Sequence, residues 1–341
     1  MERYLSQHKT TESLPSISIV VPTYNSARTL NECLNSLLIQ DYPKEKIEII
    51  IADGGSKDST LTLARSFSVA KVIKNPLRTG EAGKAVGAAI AKNEIIAFVD
   101  SDNILPTTHW LRRMVEAFLD PNIIASEPLY YTYRQSDPMI TRYCALTGMN
   151  DILCLFLGNY DRYCYLTGKW TGLSIKNTEH TGYLEVELEN DIPTIGANGF
   201  LIRKQVLDSL NFRPYLFDID IVHQAVHSGH NKFAKTKIGI VHLFASSTSS
   251  YIRKTRRRIS EYLFYHQLGK RKYQWQKANR TGFLKFICYT LLSSPLMIQI
   301  ATGYTKKPDR AWFFHLVACW ITLLVYSSTY LEVLFRSIVR R

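Results

Sequence analysis

The run Ile95-Ile96-Ala97-Phe98-Val99 is apolar at every position and stops at two carboxylates, Asp100 and Asp102, set one residue apart. A strand without alternation is apolar on both faces, which suits the middle of a parallel sheet covered by helices on either side. Open α/β sheets hold their ligands at the carboxyl ends of such strands, so acids placed there meet a ligand rather than the core. Two carboxylates at i and i+2 across a turn reach one hard divalent cation together, or one directly and one through water, and leave coordination positions for phosphate. The same Asp-Ser-Asp-Asn sequence also suits a plain turn that caps the next helix.

This strand closes a series. "SISIVVPTYN" (Ser16 to Asn25) is β-rich and stopped by Pro22, and "ARTLNECLNSLLIQ" follows with Leu30, Cys33, Leu34, Leu37 and Leu38 at helical spacing. "KIEIIIADGGSKDST" is a second strand, "DSTLTLARSF" a helix with Asp58 and Ser59 as caps, "AKVIKN" a short strand and "RTGEAGKAVGAAIAKN" a Gly- and Ala-rich helix. Strands and helices alternating at these lengths predict βαβ units in a doubly wound sheet. A dinucleotide-binding oxidoreductase begins the same way, but "VVPTYNSART" has no glycine to admit a pyrophosphate.

From about Asp120 to Tyr215 the periodicity weakens and aromatics crowd, as in "PLYYTYR" and "GNYDRYCYLTGKW", which reads as the wall of a cleft for sugar rings or as ordinary core tyrosine. A last strand, "KIGIVHLF", is expected to close the globular part near Phe244. Basic residues then gather in "YIRKTRRR", "GKRK" and "KANR", ahead of two apolar segments. They account for much of the excess of 42 Lys and Arg over 29 Asp and Glu, and their position is juxtamembrane rather than that of a nucleic-acid reader. The segments Phe286 to Tyr304 and Trp312 to Phe335, about 19 and 24 residues, are each long enough to cross a hydrocarbon core. Only "TKKPDR" separates them, so a two-helix membrane hairpin is expected, although Pro295, Gln299 and Glu332 interrupt its apolar character. Lys and Arg outside the hairpin outnumber those in its loop, so both flanks and the globular part are expected on the cytoplasmic face of the cell membrane. No signal-peptide core precedes Ser16, and the six cysteines, without CxxC or zinc spacing, read as reduced buried thiols.

Three acidic stations thus fall at strand ends or helix starts: Asp53 in "IIIADGGSKDST", Asp100 and Asp102 in "FVDSDN", and Asp218 and Asp220 in "FDIDIV". In this order, with "VVPTYN" before the first, they resemble the family 2 glycosyltransferases of GT-A fold, from about Ile17 to Arg258. The resemblance implies a doubly wound mixed sheet over 16–250, with a nucleotide-sugar half (16–120) and an acceptor half (121–250). A short tail (1–15) comes before it, and a basic segment (251–282) and the hairpin (283–337) follow. By the same resemblance, Pro22, Thr23 and Tyr24 touch the nucleotide and Asp53 hydrogen-bonds its base. An ionised Asp accepts well from a uracil ring N–H, which favours a UDP-sugar. Lys84 approaches the nucleotide and its phosphates. Asp100 and Asp102 hold the sugar nucleotide and Mg²⁺ or Mn²⁺, with Asp102 the direct ligand and His242 completing the metal site. Asn198 and Gly199, in "GANGFLIRK", lie under the acceptor sugar, and "YIRKTRRR" reaches donor or lipid phosphates, or else lies solvated on the membrane surface.

The general base is where the chain departs from the family pattern. The usual Glu-Asp is replaced by Phe217-Asp218-Ile219-Asp220, so either acid qualifies; the spacing to Gly229 favours Asp218 and the Ile-Asp pairing favours Asp220. No Gln-x-x-Arg-Trp motif of the processive synthases is present, which points to single-sugar transfer. The function implied is membrane-attached, metal-dependent inverting transfer from a nucleotide-diphosphate donor to a lipid-linked glycan or other membrane acceptor. The alternatives are transfer to polyprenyl phosphate, which needs no base, and a non-catalytic sugar-nucleotide-binding scaffold.

Overall fold

The computed structural model describes residues 14–68, 70–273 and 279–339. Most of the N-terminal tail and part of the "KANR" run therefore lie outside the described residues. The amino half is the expected alternation: β1 (Ile17–Thr23), α1 (Ala27–Leu38), β2 (Ile47–Asp53), α2 (Thr60–Ser66), β3 (Ala70–Lys74), α3 (Gly80–Ile90) and β4 (Ile95–Phe98). β3, β2, β1 and β4 are parallel neighbours in that order. Alternate residues of β1 feed two different cores, which is why the strand is apolar at most of its positions. Ile17, Ile19 and Val21 pack with Leu30, Leu34 and Leu37 of α1, while Val20 packs on the other face with Ala85 and Ala88 of α3.

The sheet continues through β5 (Asn103–Ile104), β6 (Ala125–Thr132), β7 (Lys176–Glu179), β8 (Tyr183–Glu187), β9 (Phe200–Arg203) and β10 (Lys232–His242). The order β3-β2-β1-β4-β9-β6-β10-β8-β7, with β5 paired to β10, makes one mixed ten-stranded sheet. β9 enters antiparallel to both β4 and β6, and β10 runs parallel to β6. Between these strands lie α4 (Trp110–Val115), α5 (Met139–Thr147), α6 (Leu153–Leu157), α7 (Lys204–Asp208) and α8 (Asp218–His227).

Beyond β10 the structure differs from the expected hairpin. α9 (Thr248–Gln267) is followed by α10 (Arg280–Leu292), α11 (Ser294–Lys306) and α12 (Phe314–Val339), so the helices after α9 number three among the described residues. The segment expected to be one span breaks at Ser293, whose φ is 59°, and α10 and α11 meet at 96°. Pro295 at the start of α11 suits a helix beginning rather than a helix interior. Gln299, a polar interruption of that segment, faces inward: its Oε1 lies 2.9 Å from His315 Nε2, and His315 Nδ1 lies 2.8 Å from the Tyr143 hydroxyl. Nor does the globular part close at Phe244. Tyr143, Phe156, Tyr251 and Ile259 of α5, α6 and α9 share one core with Phe286, Trp312, Phe314 and Cys319.

Candidate active site

The site forms where β1, β2, β4 and β10 end. Register puts Thr23 opposite Asp53, so the two loops after β1 and β2 lie side by side. Asp53 Oδ1 accepts the backbone N–H groups of Gly55 (3.0 Å) and Ser56 (2.9 Å), and the Thr23 hydroxyl lies 3.4 Å from Oδ2. Tyr24 is half-exposed at the rim, while Pro22 is buried under α3. A Cβ on Gly83 would come within 2.8 Å of the Pro22 Cβ, and one on Gly87 within 2.3 Å of Val20 Cγ1. The glycines of α3 thus let the helix lie close on β1, and this carries the buried Lys84 to the sheet's carboxyl edge.

There Lys84 Nζ meets Asp218 Oδ1 at 2.8 Å and Asp100 Oδ1 at 3.7 Å. Asp218 opens α8 without a side-chain cap, and its carboxyl is pushed up to about 7. Burial is the main cause and the nearby Asp100 charge adds to it, against the pull of Lys84, which must serve both acids. Lys84 itself is held above the usual lysine range, because the two carboxylates outweigh its own burial. Asp220, two residues on, turns the other way. Its carboxylate accepts from Arg271 Nε (2.8 Å) and from the backbone N–H of Tyr273 (3.0 Å), and so ties α8 to the chain after α9.

The turn after β4 is held by Asn103 rather than by its acids. Asn103 Oδ1 accepts the Asp100 N–H at 3.0 Å, and its Nδ2 donates to Asn198 Oδ1 at 3.0 Å. The carboxylates are left to face cations. Because β5 pairs with β10 in the register His242 to Asn103, His242 arrives beside Asp102: Nε2 is 3.4 Å from Asp102 Oδ1, and Lys254 Nζ of α9 is 3.0 Å from Oδ2. Although burial opposes ionisation, His242 and Lys254 hold the Asp102 carboxyl far below the usual range. One carboxylate and one imidazole are donors a divalent cation accepts, and such a cation would compete with the Lys254 ammonium for the Asp102 carboxylate. No third His, Cys, Asp or Glu joins them among the described residues.

Beside these acids is a cavity of about 330 Å³, lined by Tyr131, Asn150, Asn198, Asp218, Arg258 and Tyr265 among others. Of the aromatics between Asp120 and Tyr215, Tyr131 reaches this wall, whereas Tyr143 and Tyr160 are core; Phe217, Phe244, Tyr262 and Tyr265 supply the rest. Asn198 has φ 53° and Gly199 φ 84°, and a Cβ on Gly199 would meet Ile240 Cδ1 at 2.8 Å. The Arg162 guanidinium donates to the Ala197 carbonyl at 2.8 Å from beneath, within a fully buried cluster with Glu127 and Lys235. Sequence reading missed this cluster, and Asn103, Asn150 and Lys254 individually. The basic run it did single out divides, with Lys254 and Arg258 lining the cavity while Arg253 and Arg256 are exposed.

A mixed sheet with acids converging on one edge beside a cleft is the arrangement of the GT-A glycosyltransferases. The chain matches the structure of a mannosyltransferase from Pyrobaculum calidifontis, solved in complex with GDP-Man and Mn²⁺, with a TM-score of 0.54 and 15% identity, over 93% of this chain and 88% of that one. Residues 18–180 match the Glycosyl transferase family 2 model, and the chain carries a glycosyltransferase domain of that family. It is 32% identical over 145 residues to glycosyltransferase AglE of Haloferax volcanii, which covers 41% of this chain and 47% of AglE. It is 40% identical over 73 residues to a dolichyl N-acetyl-alpha-D-glucosaminyl phosphate 3-beta-D-2,3-diacetamido-2,3-dideoxy-beta-D-glucuronosyltransferase of Methanococcus voltae, 21% of this chain and 23% of that protein. The chain therefore spans about half or less of the length of these curated relatives.

Proposed function

We propose that the protein is a membrane-attached, metal-dependent inverting glycosyltransferase that moves one sugar from a nucleoside diphosphate to a hydroxyl of a lipid-linked or other membrane acceptor. The observation that carries the chemistry is the separation of Asp218 from Asp220. One carboxylate lines the cavity with its pKa near neutrality, and the other is consumed by Arg271 and a backbone N–H.

In this reading the loops of Thr23, Tyr24 and Asp53 take the nucleoside, and Asp100, Asp102 and Lys84 face the diphosphate. Asp102 and His242, with Asp100 nearby, would hold a Mg²⁺ or Mn²⁺ ion, which would supply charge neutralisation to the departing diphosphate. Asp218 accepts the proton of the acceptor hydroxyl, whose oxygen bonds to the anomeric carbon as the bond from that carbon to the diphosphate oxygen breaks. Because the acceptor oxygen attacks the anomeric carbon directly, with no covalent intermediate on the protein, the anomeric centre inverts in this reading. Asn198 and Gly199 line the acceptor side.

Membrane attachment is supported by the last three helices. Leu284, Leu291, Leu292, Ile298, Leu331 and Phe335 are exposed. The stretch Arg310–Phe335 is long and apolar enough to cross a hydrocarbon core, and only 44% of its most apolar window is buried within the protein, so most of that window is free to meet lipid. The basic residues of α9 and its flank then favour the anionic cytoplasmic leaflet. Isothermal titration of UDP and GDP, with and without Mn²⁺, tests the donor site. Asp102→Asn is expected to remove the metal-dependent part of binding while leaving the thermal transition in place; unchanged metal-dependent binding would refute the assignment.

A further inference from the structure

The hydrogen bonds around His242 have a direction that begins at a backbone group. The Asp100 N–H can only donate, so Asn103 presents Oδ1 to it and must donate through Nδ2 to Asn198 Oδ1. Asn198 then donates through Nδ2 to the Tyr131 hydroxyl oxygen at 2.9 Å. The Tyr131 proton is left to point elsewhere, and beside it stands the amide of Asn150. In the conformation described, Asn150 Nδ2 lies 3.4 Å from the Tyr131 hydroxyl and 3.1 Å from His242 Nδ1. Asn150 Oδ1 is buried with no partner among the described residues.

Two donors thus face the Tyr131 oxygen while a buried carbonyl oxygen faces none. A buried acceptor without a donor is destabilising, because the hydration it gave up is not replaced. A half-turn of the Asn150 amide brings Oδ1 to the inner position, where it accepts from the Tyr131 O–H and from an Nδ1–H on His242. With its proton on Nδ1, His242 offers the Nε2 lone pair toward Asp102, where a cation is drawn; with Nδ1 accepting from Asn150, Nε2 carries the proton instead and the imidazole cannot ligate.

We propose that Asn150 is a positioning residue that sets the tautomer of His242, and that through Tyr131 and Asn198 it joins the cation site to the acceptor side of the cavity. The inference rests on the reading of His242 as a cation ligand. It assigns Asn150 the part of an acceptor, not a donor, in the state that binds metal.

Asparagine, aspartate and leucine separate these roles, being similar in size while offering donor and acceptor, acceptor only, and neither. Manganese binding to the full chain is followed by the loss of the free-ion electron paramagnetic resonance signal, with Mn²⁺ alone and with Mn²⁺ plus UDP. Asn150→Asp is expected to bind Mn²⁺ as tightly as the parent or more tightly, and Asn150→Leu about 10- to 100-fold more weakly. Parent-like affinity in Asn150→Leu overturns the proposal, as does an Asn150→Asp variant that binds weakly; if the leucine variant does not fold, the aspartate variant alone decides. His242→Ala distinguishes the underlying reading. If it binds Mn²⁺ normally, His242 is not a ligand; if it binds weakly while Asn150→Leu is unaffected, the ligand stands and the role of Asn150 falls.

Discussion

Asp218 and Asp220 are neighbours on one helical turn, yet they meet different partners. The first shares Lys84 with Asp100 at the cavity wall, and its pKa of about 7 follows from burial and the neighbouring Asp100 charge, against the pull of that shared cation. A base is useful only when unprotonated, so kcat/KM is expected to rise with pH up to about 7 and level off above it. A profile from pH 5.5 to 8.5 checks this, and no inflection between about 6 and 8 would count against Asp218. At this scale the strand-end acids were legible in the sequence, because acids directly after an apolar run sit at the ligand edge of such a sheet, whereas Lys254 and the buried Glu127, Arg162 and Lys235 were not. Two of the amides were not: Asn103 and Asn150 occur in turns where asparagine is ordinary, and their roles arise when β5 pairs with β10 and brings distant loops together.

Among the elements, α3 shows how composition becomes geometry. Its Gly- and Ala-rich face lies on β1, with Ala82, Ala85 and Ala88 buried. Gly87→Ala would ordinarily favour a helix by about 1 kcal/mol, but its Cβ would press on the fully buried Val20 at 2.3 Å, and overpacking of this kind costs about 1–3 kcal/mol. A net loss of stability is expected, read as an earlier unfolding midpoint in urea; a gain would mean that α3 is not seated on β1 as described. The alternation of strands and helices was readable because every buried strand had to be apolar on both faces. The break between α10 and α11 was less so. Apolar composition reported the length of the segment, while the bend depends on one left-handed residue, Ser293, and on the Pro295 helix start.

For the whole molecule, the main departure from the sequence reading is that α10, α11 and α12 share a core with α5, α6 and α9. Composition marks these helices as apolar but does not say what covers them, and in the structure Trp312 and Cys319 face inward while Leu331 and Phe335 are exposed. Truncation after Arg280 is therefore expected to uncover the faces of Tyr143, Phe156 and Tyr251 and to give an aggregated chain in gel filtration. A monodisperse truncated protein with an unchanged melting temperature would show the helices to be dispensable for the fold. The chemistry is decided by comparing Asp218→Asn with Asp220→Asn, measuring kcat, Mn²⁺-dependent nucleotide binding and melting temperature for each. Asp218→Asn should lower turnover by about 10²- to 10⁴-fold with donor binding nearly unchanged. Asp220→Asn should retain the chemistry but lower the melting temperature, by leaving the part-buried Arg271 without a carboxylate partner. Full transfer to a hydroxyl acceptor by Asp218→Asn would contradict the account.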